Sequence, residues 1–162
     1  DPDLDVTTSF RFHAGEIFIS TGFRALQIWL LGITFPILVA YEAVFFAGTM
    51  FHHSNLRLPV GFERILNYFF VTPRMHGIHH SIIETEANSN YSVVLAWWDR
   101  LHRSFQVDIP QSEIIVGVPA YAQPEDNRVR NSLLLPFRPQ REYWLLCTRA
   151  TVGLPHCWMF FR

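Results

Sequence analysis

Five of the eight histidines in this chain, His52, His53, His76, His79 and His80, fall within twenty-nine of its 162 residues. Imidazole is a favoured ligand of iron, zinc and copper, and an unpaired ring in apolar surroundings is costly. Such crowding therefore asks for a shared role. On a helix, positions i, i+3 and i+4 lie on one face, so His76, His79 and His80 can turn three rings toward one place. That spacing suits a metal site, and an isolated HxxHH also fits a polar helix face with incidental histidines.

The elements that must carry these rings are apolar. Between Arg24 and Arg57 the single formal charge is Glu42, and the seventeen residues 25–41 (ALQIWLLGITFPILVAY) carry none. Seventeen helical residues rise about 26 Å, at the lower edge of what crosses a hydrocarbon core of about 30 Å. Gly32 and Pro36 interrupt the run, which predicts two helices, near residues 15–31 and 36–53, packed as a bent or re-entrant pair. The run is apolar all round rather than on one stripe, which favours a membrane over a buried soluble hairpin. PVGFERILNYFF predicts an amphipathic helix over 59–70 with Pro59 at its first position. Thr72-Pro73 then starts a short helix carrying MHGIHH, with Thr72 as its cap. YSVVLAWWDRLHRSF (91–105) reads as a further helix, SEIIVGV (112–118) as a short strand, and Tyr143 to Phe161 as another apolar run. The expected fold class is all-α: a membrane-embedded helical bundle over 1–105, with 106–162 a short irregular C-terminal extension of the same domain.

Composition agrees. Apolar residues make up 49% of the chain and charged ones only 17%, against about a quarter in soluble proteins. A net charge of −1 gives no basic excess for a nucleic-acid backbone, so nucleic acid is excluded as a partner. Cys147 and Cys157 are too few for a disulfide framework and lack CxxC spacing. The chain opens on Asp1 without a signal-type segment, and reads as a piece of a longer protein.

Three elements in order, HHSNLRLP (52–59), VTPRMHGIHHS (71–81) and NSNYSVVLAWWDRL (88–101), carry a resemblance. They resemble the last third of the fatty acid hydroxylase and sterol desaturase superfamily, with its HAN-like element, TPxMHxxHHS box and NYGxxLxxWDRLFGT element. DPDLDVTTSFRFHAGE (1–16), IIVGV (114–118) and LLLPFR (133–138) extend the likeness over most of residues 1–140. The resemblance implies an integral membrane enzyme of bacterial inner membrane or endoplasmic reticulum. Such an enzyme hydroxylates or desaturates a lipid substrate using two nonheme iron ions, dioxygen, and electrons from a cytochrome or ferredoxin-type redox donor. It assigns His76, His79 and His80 to the third histidine box and His53 to the HAN-like element, with His52 as its competitor. Asn55 and Asn90 are candidates for orienting ligand rings from behind, or are turn and cap residues. His13, in RFHAGE, is an alternative ligand or a structural hydrogen-bonding residue.

His102 and His156 read as surface or packing residues, Asp99 and Arg100 as a loop clamp, and Trp97 and Trp98 as interface rings. Three positions depart from the family: Ala14 replaces Pro, Ser92 replaces Gly, and LHRS (101–104) replaces LFGT. The family's HxxxH and first HxxHH boxes are not in this sequence, so the four assigned histidines form one wall of the implied two-metal site. Two other classes compete. A zinc hydrolase would use the same histidines to activate water, but the HExxH glutamate is missing. A nonenzymatic membrane remnant would keep the fold without metal.

Overall fold

A computed structural model describes residues 4–10, 12–121, 125–126, 128–139 and 141. The apolar run from Tyr143 to Phe161, with Cys147, Cys157 and His156, lies outside the described residues. The all-α reading holds: among the described residues there are helices and two isolated bridges, and no strand.

α1 spans Ala14–Leu31 and α2 spans Phe35–His52. α1 begins where His13 Nδ1 accepts the Gly15 N–H at 3.0 Å, so Ala14 occupies the first helical position, where the family's Pro would fit. It ends at Gly32, whose φ of 63° is the left-handed conformation that glycine adopts without strain. Pro36 then falls in the first turn of α2, where its missing N–H costs nothing. α2 is about 27 Å long, long and apolar enough to cross a membrane, and almost none of it is buried inside the protein. Arg24 of α1 pairs with Glu42 of α2, its guanidinium 5.7 Å from the Tyr41 ring centroid and 5.6 Å from that of Phe45.

The polarity of the interior is inverted. Among the described residues fourteen buried residues are polar or charged and eight are apolar, while Phe18, Trp29, Leu31, Phe35 and Ile37 on the two long helices face outward. Water would penalise that exterior, whereas a lipid environment would not. The small apolar cluster of Val71, Met75 and Ala96, with Phe105 and Val107 against it, lies under the short helices.

Those short helices are α3 (Val60–Leu66), α4 (Pro73–His79), α5 (Glu84–Ala87), α6 (Trp97–His102) and α7 (Val129–Leu134). α4 matches expectation, with Thr72 Oγ1 accepting the Met75 N–H. Three expectations are corrected. α3 covers only part of 59–70: Pro59 is its N-cap, and residues 67–69 are turns leading to a bridge at Phe70.

The helix expected over 91–105 is restricted to Trp97–His102. Residues before it are non-helical because Val71 N–H donates to Val94 O (3.0 Å), Ala96 N–H donates to Phe69 O (2.9 Å), and Asp99 captures the Tyr91 and Ser92 N–H groups. Tertiary pairing there outweighs the pattern of apolar residues. The strand expected at 112–118 is instead a 3-10 turn, Gln111–Glu113, followed by a single bridge from Val116 to Ser81. Its pairing is still positional, since Ile82 N–H donates to Ile115 O and Gly117 N–H to His80 O.

The clamp role expected of Asp99 is realised. One carboxylate oxygen accepts Tyr91 N–H (2.8 Å) and Ser104 Oγ (2.8 Å), and the other accepts Ser92 N–H (3.0 Å). Ser92, where the family has Gly, uses its hydroxyl to accept Asp99 N–H at 3.2 Å. The C-cap of α6 is Arg103 at φ 60°, the position of the family's glycine. The turn thus survives the substitution at a cost, because a Cβ in the left-handed region costs about 1 kcal/mol or more. Arg103→Gly should therefore raise stability by about 1 kcal/mol, read as a higher thermal midpoint of the detergent-solubilised protein; an unchanged or lower midpoint would refute strain at this turn.

Candidate metal centre

α2 and α4 meet at their histidine-bearing ends, and all five clustered rings come together there. The His52 ring centroid is 3.8 Å from that of His76, His53 is 4.5 Å from His76, and His80 is 4.7 Å from His76. His79 lies 5.5 Å from His76 and 5.4 Å from His80. His52, His53 and His76 are buried, and each offers one nitrogen to a group whose members lie within 4.8 Å of one another.

Backbone carbonyls set the orientation of three rings. His53 Nδ1 meets Thr49 O at 2.9 Å, His52 Nδ1 meets Val93 O at 2.9 Å, and His79 Nδ1 meets Ser89 O at 2.8 Å. A carbonyl only accepts, so Nδ1 carries the hydrogen in each ring and Nε2 keeps its lone pair. This is the arrangement by which metal-bound histidines are commonly held. Nε2 of His76 lies 3.2 Å from Nε2 of His53 and 3.0 Å from Nε2 of His80. One hydrogen on His76 Nε2 can serve only one of these neighbours. At a metal–nitrogen distance of about 2.0–2.1 Å, adjacent ligand atoms stand roughly 2.9–3.4 Å apart, so each of these two separations fits a pair of nitrogens on one cation. His76 Nδ1, buried and without a hydrogen-bond partner, is a further polar atom that protein alone leaves unsatisfied.

Electrostatics point the same way. Burial holds His76 well below its ordinary 6.5, and the surrounding histidines add to the effect. Burial also pushes His80 down to about 3, helped by His79 and His53. His53 is lowered by burial too, against its bond to Thr49 O. The rings are therefore neutral at physiological pH, the form that donates a lone pair to a metal.

The other sequence candidates fall elsewhere. Asn90 is fully buried at φ 53°, and its amide donates to Met75 O and Gln106 O (2.7 Å each) while accepting Gln106 N–H (2.8 Å). It thus fixes the backbone just before His76 and touches no imidazole nitrogen by these bonds. Asn55 is exposed on the wall of a cleft of about 210 Å³ on the far side of α4. His13 is the α1 cap, with Nε2 3.3 Å from Leu133 O, and stands apart from the cluster.

Sequence reasoning missed Glu63. This buried carboxylate accepts Thr72 Oγ1 (2.7 Å) and pairs with Arg74 Nε (2.8 Å), fastening the first turn of α4. A lone Glu in an amphipathic segment gives no hint of that. Gly48 was also missed: a Cβ there would stand 2.9 Å from Val94 Cγ2 and 3.6 Å from Val93 O, the acceptor that holds His52.

An all-helical scaffold that gathers five imidazoles beside a membrane-length apolar helix defines a class: helical proteins with a histidine cluster that could hold a metal ion under an apolar exterior. A family model for fatty acid hydroxylases matches residues 1–104, and the chain belongs to that family. It is similar to an ornithine lipid hydroxylase, OlsE, of Rhizobium tropici, with 30% identity over 115 residues. That match takes in 71% of this chain and 34% of the relative, so the chain spans about a third of the relative's length. No solved structure matches the chain.

The close approach at Gly48 supplies a test of how the cluster is held. Gly48→Ala should lower stability by about 1–3 kcal/mol, because β-branched Val94 cannot swing aside without moving the 93–94 backbone. Gly22→Ala, at a helical glycine with nothing within 4 Å, should be neutral or stabilising by up to about 1 kcal/mol. Thermal unfolding of the two variants side by side checks this, and equal effects would remove Gly48 from any role in placing Val93.

Proposed function

We propose that the protein, at its natural length, is a membrane-bound, iron-dependent lipid hydroxylase, and that His53, His76 and His80, with His52 and His79 beside them, hold its metal. The carrying observation is that His76, a buried ring whose Nδ1 has no partner, sets its Nε2 3.2 Å from that of His53 and 3.0 Å from that of His80, with His52 in the same close group. A diiron centre, when bound, would supply dioxygen activation: one oxygen atom enters a C–H bond, and the other leaves as water with two protons and two electrons from an external donor. A cytochrome or ferredoxin-type protein is the class of donor required.

The chain's own residues do the rest. Thr49, Val93 and Ser89 carbonyls keep the lone pairs aimed inward. Burial keeps His76 and His80 neutral, the form that offers a lone pair. α2 seats this assembly at a membrane, where a lipid can reach it without crossing water. Hydroxylation is favoured over desaturation because the family and the similar Rhizobium protein are hydroxylases. A lipid with an amino-acid headgroup is the first substrate to try, since that relative is an ornithine lipid hydroxylase.

The test uses natural-length protein loaded anaerobically with ferrous iron, then given dioxygen, reductant and an ornithine-lipid-containing extract. A lipid product heavier by one oxygen atom is expected, absent without iron or dioxygen. His76→Ala and His80→Ala should each lose metal and product by more than the roughly 10–100-fold typical of losing an outer partner. His13→Ala should keep its iron. Oxygen-independent turnover with zinc would replace this reading by a hydrolase, and metal content unchanged in His76→Ala would leave a remnant without a centre.

A further inference from the structure

Beside the histidines runs a cleft of about 650 Å³, within the roughly 300–1,000 Å³ of small-ligand sites. One wall is α2, through Tyr41, Val44 and Phe45, and the other is the non-helical segment at Val94 and Leu95 with Trp98. The cleft reaches the cluster at two points. Tyr91 lines it, and the edge of its ring meets His79 at 5.3 Å between centroids. Val93 also lines it, while the same residue's carbonyl holds His52. From His52 to Tyr41 is eleven residues along α2, about 16 Å.

Asp99, Ser92 and Ser104 on the walls are engaged with one another, and the imidazole of His102 also lines the cleft. Asp99 accepts Ser92 N–H and Ser104 Oγ, and Ser92 Oγ accepts Asp99 N–H. At the far end, Arg24 lies over Tyr41 and Phe45 with its charge met by Glu42. A ligand lying here therefore finds apolar surface, no uncompensated charge, and a path that ends against the histidines.

We propose that this cleft is the berth of one alkyl chain of the lipid substrate, entered from the bilayer side of α2 and ending at Tyr91 beside His79. The proposal rests on the lipid-hydroxylase reading above for its chemistry, and on continuity between cleft and cluster for its place. Tyr91 is then the residue against which the bound lipid stops, a positioning residue for the carbon to be oxidised.

A long-chain fatty acid with a terminal diazirine, photolysed with the natural-length protein in detergent, tests the berth by binding alone. Adducts mapped by mass spectrometry should concentrate at residues 41–45 and 91–98, and unlabelled long-chain acid should displace them while a short-chain acid does not. Val44→Trp, at an exposed position on the cleft wall, should reduce those adducts about tenfold or more. Val39→Trp, also exposed on α2 but off the wall, should leave them unchanged. Adducts spread around every face of α2, or equal loss in the two variants, would mean ordinary contact with surrounding lipid and would overturn the berth. The two proposals fail separately: cleft labelling without any hydroxylated lipid would discard the chemistry, and product without cleft labelling would discard the berth.

Discussion

Three backbone carbonyls, those of Thr49, Ser89 and Val93, each hold a histidine by Nδ1, and the rest of the structure is arranged so that these carbonyls stand where they do. Thr49 lies one turn before His53 on α2, so that bond comes with the helix. The other two come from the chain between α5 and α6 and must be brought across. Asn90 does this for the Ser89 side by binding the backbone at Met75 and Gln106, and Asp99 does it for the Val93 side by capturing the Tyr91 and Ser92 N–H groups. The left-handed backbone at Asn90 is the bend that lets one short segment serve both rings.

Placing so much polarity inside reverses the usual division of residues. Glu63, Thr72 and Arg74 form a buried network at the start of α4, and Ser81 donates to Glu86 just after its end. A buried ion pair gains little net stability compared with apolar packing, but breaking one is expensive. Its value here is fixation: both ends of α4 are fastened by side-chain bonds in addition to the packing of its buried Met75 and Ile78. The apolar residues, no longer needed for a core, cover α1 and α2 and make the outer surface one that lipid can wet.

Much of this was legible in the amino-acid order. Two apolar helices broken at Gly32 and Pro36, the Thr72 cap and the density of histidines follow from local rules of hydropathy, proline geometry and capping. What local rules could not give is partnership across the chain. Residues 91–96 have a composition that suits a helix, and they are non-helical because Phe69 and Val71 pair with them and Asp99 takes the Tyr91 and Ser92 N–H groups. Gly48 reads as an ordinary small residue of an apolar helix until Val94 is found against it. The strained turn at Arg103 is visible only by comparison with a family that has glycine there, and the backbone angle supplies its meaning.

The choice between His52 and His53 shows why spacing alone misleads. Adjacent residues on a helix point about 100° apart, so a regular helix would aim only one of the pair at α4. The helix ends at this point: His52 is the last residue of α2 and His53 is its cap. His53 keeps α-region backbone (φ −84°, ψ −3°), so the side chains close the gap: the His53 ring folds back on Thr49 O while the His52 ring reaches Val93 O, and both arrive at His76. The end of one helix thus sets two consecutive side chains against a single third ring. The doubled histidine is consequently better understood as one structural unit than as a ligand and its bystander, and it sits at the end of a helix long and apolar enough to cross a membrane, where an exposed apolar surface gives way to a polar interior.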